Sequence, residues 1–129
     1  MMPEKLIIYQ LFPRLLTNQC ARCVPGGTLE QNGSGKMNDI DDALLVSIKG
    51  LGVNCVWYTG IIEHATKTAF PGIPADDPHV VKGMAGSPYA IKDYYDVAPE
   101  IAVDVDRRME EFEELVTRTH NAGMKVLID

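Results

Sequence analysis

A chain of 129 residues with 46% hydrophobic and 23% charged side chains has the make-up of one soluble globular unit, which excludes disordered and fibrous classes. A formal net charge of −6, with no basic face gathered along the chain, argues against a nucleic-acid partner and favours a neutral small molecule. No stretch approaches the roughly 18 uninterrupted apolar residues of a membrane span, and the first five residues lack the charged-then-apolar layout of a secretory signal.

Residues 5–12 are a dense apolar and aromatic run closed by Pro13, which predicts a strand buried on both faces. Asn38 or Asp39 then caps a helix in which Ile40, Leu44, Leu45, Ile48 and Leu51 share one face, with Gly50 and Gly52 at its end. Residues 54–62 are β-branched, aromatic and apolar, a second buried strand. Asp104 or Asp106 opens a second helix: Met109, Phe112, Leu115, Val116 and Thr119 line one side, while Glu110, Glu111, Glu113, Glu114 and Arg118 face water. Gly123 stops it, and residues 125–129 are a third strand.

The order βαβαβ implies parallel strands in one sheet with right-handed crossovers. A complete flavodoxin-like domain needs about five strands, and only three candidates are present. A closed (β/α)8 barrel needs about 250 residues, so the inventory suits the first third to half of an α/β TIM barrel, with residues 1–129 as one truncated domain. Residues 13–37 and 63–103 are far longer than ordinary connections, and each follows the carboxyl end of a strand, where parallel barrels place their sites. Function is expected there.

Within the first segment, Asn32-Gly33-Ser34-Gly35-Lys36 suggests a phosphate loop, but Glu30 and Met37 stand where the full pattern needs glycine and Ser or Thr. A mobile turn is the better reading. Cys20 and Cys23 have the spacing of half a zinc site and no second pair exists, so metal binding is not expected. With Cys55 they make an odd and sparse set, which leans toward a reducing, cytoplasmic compartment. In the second segment, residues 86–95 concentrate tyrosines and carboxylates, the combination of apolar platform and hydroxyl acceptors that binds sugar rings. Tyr94 and Tyr95 are read as packing the loop. His64, just past the second strand, either donates to a ligand hydroxyl or caps its own loop; His79 is a solvated loop residue and His120 belongs to the end of the second helix.

Four segments, residues 7–14, 51–57, 87–97 and 115–129, together resemble glycoside hydrolase family 13, the alpha-amylase family. The resemblance implies a retaining hydrolase of α-1,4-linked glucans such as starch and maltooligosaccharides. It assigns to Tyr89 the stacking of a sugar at the subsite of cleavage, and matches Asp129 to the aspartate opening a D-x-x-x-N-H motif at the end of the third barrel strand. Substrate-binding candidates are therefore Tyr89, His64 and Asp129. The motif's asparagine commonly helps to hold a structural calcium, which is expected only of a longer protein; no cofactor is expected within these residues.

The family's aspartate nucleophile, glutamate acid/base and third aspartate would all lie after Asp129. No catalytic residue is therefore assigned in this chain, which is expected to be inactive by itself. Gly86 and Ala90 stand where some glucosidases of the family carry acidic residues. Two rivals remain: a non-catalytic barrel, as in certain transporter-associated proteins that keep the fold without the carboxylates, and a small flavodoxin-like binding domain. Expected partners are an α-glucan, no nucleic acid and no membrane, with self-association through uncovered strand edges.

Overall fold

The computed structural model describes residues 4–129. Strands β1 (Ile8–Leu11), β2 (Cys55–Tyr58) and β5 (Lys125–Ile128) form a parallel sheet in the order β1-β2-β5. Ile8, Cys55 and Lys125 stand at one level of the register; Leu11, Tyr58 and Ile128 stand at the other. This places β2 in the centre, whereas a flavodoxin-like order would put β1 there, so that alternative fails.

Side-chain alternation divides the sheet. Tyr9, Leu11, Val56, Tyr58 and Val126 pack into one core with Ile40, Leu45, Ile48 and Leu115. Ile8 and Leu127 belong to the alternate set and are 48% and 43% exposed. Parallel sheets are ordinarily covered on both faces, whereas these two apolar side chains at the outer strands stand uncovered.

The crossovers are α3 (Asp42–Lys49) and α4 (Arg108–Asn121), which follow the short helices α1 (Pro13–Leu16) and α2 (Leu29–Asn32). The cap of α3 is Asp41, whose carboxylate accepts from the Leu44 amide at 2.9 Å; Asn38 and Asp39 instead lie in a preceding 3₁₀ turn, Met37–Asp39. Ile40 is buried before the helix begins, while Leu51, beyond its end, is exposed. Inside α4, Leu115 and Thr119 are buried, and Thr119 Oγ1 donates to the Leu115 carbonyl while accepting from the Tyr58 hydroxyl at 2.7 Å. Gly123, at φ +83, ends the helix where a side chain would be strained.

Two α4 residues depart from their expected solvent face. Glu111 is buried, and its carboxylate accepts from the Val103 and Asp104 amides, each at 2.8 Å. Arg118 donates to the Ile40 and Met37 carbonyls at 3.0 and 2.9 Å, tying the helix to the turn before α3. Charge alone predicts exposure, but free backbone amides and carbonyls at helix ends attract these long side chains inward.

The expected second strand also stops early. Gly60, at φ +80, turns the chain where an added Cβ would meet the Phe12 ring at 2.7 Å. Beyond it, β3 (Ile62–His64) pairs antiparallel with β4 (Ile91–Val97) through an irregular register. The second long segment is therefore organised around a two-stranded sheet rather than structureless.

Candidate functional site

The carboxyl ends of β1 and β2 lead into a buried polar cluster that ties three segments together. Pro13 starts α1 with its fixed φ, which sets Arg14 immediately above β1. Its guanidinium lies 5.0 Å from the Phe12 ring centroid and spends its donors inward. Arg14 Nε donates to Glu100 Oε1 at 3.0 Å, Nη1 donates to the Gly86 carbonyl at 3.1 Å, and Nη2 reaches the Ala85 carbonyl at 3.3 Å. Nη2 also lies 2.8 Å from Glu100 Oε1 and 2.6 Å from His64 Nε2.

His64 is 2% exposed. Its Nδ1 lies 3.3 Å from the Ile62 carbonyl, so a proton there leaves Nε2 free to accept from Arg14. Nε2 is also 3.1 Å from Glu100 Oε1. Both ring nitrogens are thus engaged inside the protein, and of the two sequence readings for His64 this geometry carries the one that holds its own loop. Burial alone would push the Glu100 carboxyl up, but its close contact with the His64 ring and the adjacent Arg14 charge hold it below the usual carboxylate range. The Glu100 carbonyl accepts from Lys36 Nζ at 2.7 Å, and burial lowers the pKa of that ammonium.

The segment carrying Tyr89 is fastened on both sides. The Met84 carbonyl accepts from Thr66 Oγ1 and the Lys67 amide, and the Ala90 carbonyl accepts from the Ala65 amide. Gly86, at φ +78, passes so close to the Ala65 carbonyl that a Cβ would stand 1.9 Å from its oxygen. Ser87 closes the turn, its Oγ accepting from the Tyr89 amide at 3.2 Å and its carbonyl from the Ala90 amide at 3.1 Å. Pro88 packs against Gly60 just past β2, so the segment sits over the carboxyl rim, and Tyr89 is 60% exposed. Asp129, also exposed, follows the last residue of β5 at the same end of the sheet. Tyr94 and Tyr95 are 74% and 92% exposed, so they do not pack the loop as expected.

A second group of carboxylates lies on the β3–β4 sheet. Oxygens of Glu63, Asp93 and Asp96 are all within 4.8 Å of one another, a spacing compatible with a cation or with a retaining acid–nucleophile pair. Burial raises the Glu63 pKa, while Arg108 lowers that of Asp96, the contrast expected of an acid and a nucleophile. The contacts speak against both uses. Arg108 grips Asp96 through two bonds of 2.8 and 2.7 Å, the Val97 amide donates to it at 2.7 Å, and Lys92 Nζ stands 3.7 Å from Glu63. Asp96 has few lone pairs left for attack, and the neighbouring cations oppose a metal.

Of the residues expected to bind substrate, Tyr89 and Asp129 lie at the rim and His64 lies buried beneath it. Arg14 and Glu100 were not foreseen as a site. The one available signal was an arginine directly after a strand-ending proline. Residues 32–36 form a pinned turn rather than a mobile one, because a Cβ at Gly35 would stand 1.9 Å from the Pro13 carbonyl oxygen and Lys36 is held by Glu100. Cys20, Cys23 and Cys55 are free thiols; Cys23 lines a cavity of about 290 Å³ with Arg14, Asn18, Arg22 and Thr28. His79 is exposed and pairs with Asp77 at 2.9 Å, and His120 is exposed near the end of α4.

Comparison with known proteins gives a consistent picture. The chain is 29% identical over 126 residues to a trehalose-6-phosphate hydrolase of Bacillus subtilis (strain 168), covering 98% of this chain and 16% of that protein. Among solved structures, an alpha-amylase from Lactobacillus plantarum matches 96% of the chain at 28% identity with a TM-score of 0.64. A noncanonic maltogenic alpha-amylase from Thermotoga neapolitana matches 96% at 30% identity with a TM-score of 0.56. The chain spans 22% of each of these two structures. No family model matches the sequence. The resemblance to the alpha-amylase family, and an α/β fold like that of amylase catalytic domains, are thereby borne out.

Proposed function

We propose that this chain, similar to alpha-amylase-family enzymes along nearly its whole length, forms the first three parallel strands and two crossover helices of a (β/α)8 catalytic barrel. On this reading the whole protein opens α-1,4-glucan links through a covalent glycosyl intermediate. The observation that carries the proposal is the sequential parallel sheet with Tyr89 exposed in a segment fastened over its carboxyl rim. Barrel enzymes bind substrate at that end, and an exposed tyrosine ring there is a platform for the C–H face of a pyranose.

Tyr89 supplies stacking and Asp129 supplies a hydroxyl acceptor at the end of the third parallel strand; His64 acts from below by holding Arg14. Hydrolysis with retention needs two carboxyls about 5 Å apart, one to attack and one to give a proton. The reading assigns that pair to sequence following Asp129. Calcium belongs to the same downstream stretch, since the asparagine that would bind it lies outside these 129 residues. Between the two substrate types named among the relatives, a neutral glucan suits the net charge of −6 better than a phosphorylated disaccharide.

The test compares the 129-residue chain with the same chain extended by the coding sequence that follows Asp129. The short form is expected to release no reducing sugar from soluble starch, and the extended form to release it with retention at the anomeric carbon. Turnover by the short form after purification controls would overturn the placement of catalysis. A downstream sequence that fails to complete Asp129 to an Asn-His pair and lacks the carboxylates would favour a non-catalytic barrel instead.

A further inference from the structure

We infer that Arg14 is a positioning residue for Tyr89, setting the sugar platform through the backbone of the segment that carries it; the sugar part rests on the proposed function above. Three observations converge. Arg14 donates to two successive carbonyls, Ala85 and Gly86, just before the Ser87 turn that presents Tyr89. Its own orientation is fixed from two other segments, by Glu100 and by His64, whose side chains are 5% and 1% exposed. Gly86 cannot relax toward β3, because the Ala65 carbonyl fills the space a side chain would need.

The planar fork of an arginine is what this requires. A lysine ammonium carries the same charge but is a single point, unable to reach Glu100, Gly86 and Ala85 together. Arg14→Lys therefore separates charge from geometry. Glu100→Gln is the second variant: it keeps the side-chain shape and removes the charge that orients the guanidinium.

Two measurements decide the matter, each made on the 129-residue chain. In Arg14→Lys, hydrogen exchange at the Tyr89 and Ala90 amides is expected to quicken about tenfold, while the interior amides of α4 keep their protection. Should Arg14→Lys fail to fold, Glu100→Gln is read the same way. In NMR titrations with maltotriose, Arg14→Lys and Tyr89→Ala each weaken binding by at least about fivefold, and the double variant binds no more weakly than Tyr89→Ala alone. Unchanged exchange at the Tyr89 and Ala90 amides, or a full additional loss from Arg14→Lys in the Tyr89→Ala background, would overturn the inference. Absence of any maltotriose-dependent shift in the unsubstituted chain would overturn the sugar role of Tyr89, leaving the exchange rates to decide its placement by Arg14.

Discussion

Glu100 and Glu63 are both buried carboxyls whose surroundings drive them in opposite directions. Glu100 is held below its ordinary value, so its stabilising contribution is complete above the unfolded pKa of about 4.3 and is lost as pH falls through the lower folded value. Glu63 is raised by burial, with Lys92 at 3.7 Å too distant to offset it, so its ionised form costs stability as pH rises through the folded value. Glu100→Gln is expected to lower stability at neutral pH by about 3 kcal/mol, since it removes the carboxylate paired with the largely buried Arg14 guanidinium, and to flatten the acid limb of the profile. Glu63→Gln should raise stability above the Glu63 folded pKa. Urea midpoints measured between roughly pH 3 and 8 check both signs. These behaviours were hidden in the sequence for the same reason as the cluster itself. Arg14, His64 and Glu100 come from three separate segments, and only the fold brings them within 3.1 Å of one another.

The periodicity of the elements was legible because burial repeats at fixed spacing. All three parallel strands and both crossover helices lie where their apolar patterns put them, with ends displaced by a few residues. Ends move because caps compete: Asp41, rather than Asn38 or Asp39, caps α3 by accepting from the Leu44 amide. The β3–β4 sheet was missed because its pairing is irregular and its strands mix charged and aromatic residues without clean alternation. Glu111 shows the cost of reading helix faces from charge alone. Its carboxylate holds the Val103 and Asp104 amides ahead of α4, close to the positive end of the helix dipole. Glu111→Ala leaves both amides without this partner, and thermal unfolding should report a loss of about 2 kcal/mol. Glu113→Ala, on the exposed face of the same helix, should stay within about 0.5 kcal/mol of the parent.

As a whole molecule, the chain has a core on one side of its parallel sheet and, on the other, exposed apolar side chains on its two outer strands. Ile8 and Leu127 lie on that second face, and neither β1 nor β5 pairs on its outer edge among the described residues. Uncovered edges of this kind recruit further strands, which is what the proposed barrel reading expects of them. The βαβαβ pattern made the three-stranded parallel sheet foreseeable, whereas the fastening of the Tyr89 segment by Arg14 was not, since it rests on backbone carbonyls that sequence does not mark. The most direct measurement is sedimentation of the isolated 129-residue chain over a wide concentration range, with amide exchange read on β1 and β5. An incomplete barrel predicts mass that grows with concentration, and outer-edge amides that exchange freely at high dilution. A compact monomer at every concentration, with those edge amides protected, would mean that the sheet is already complete and would contradict the account.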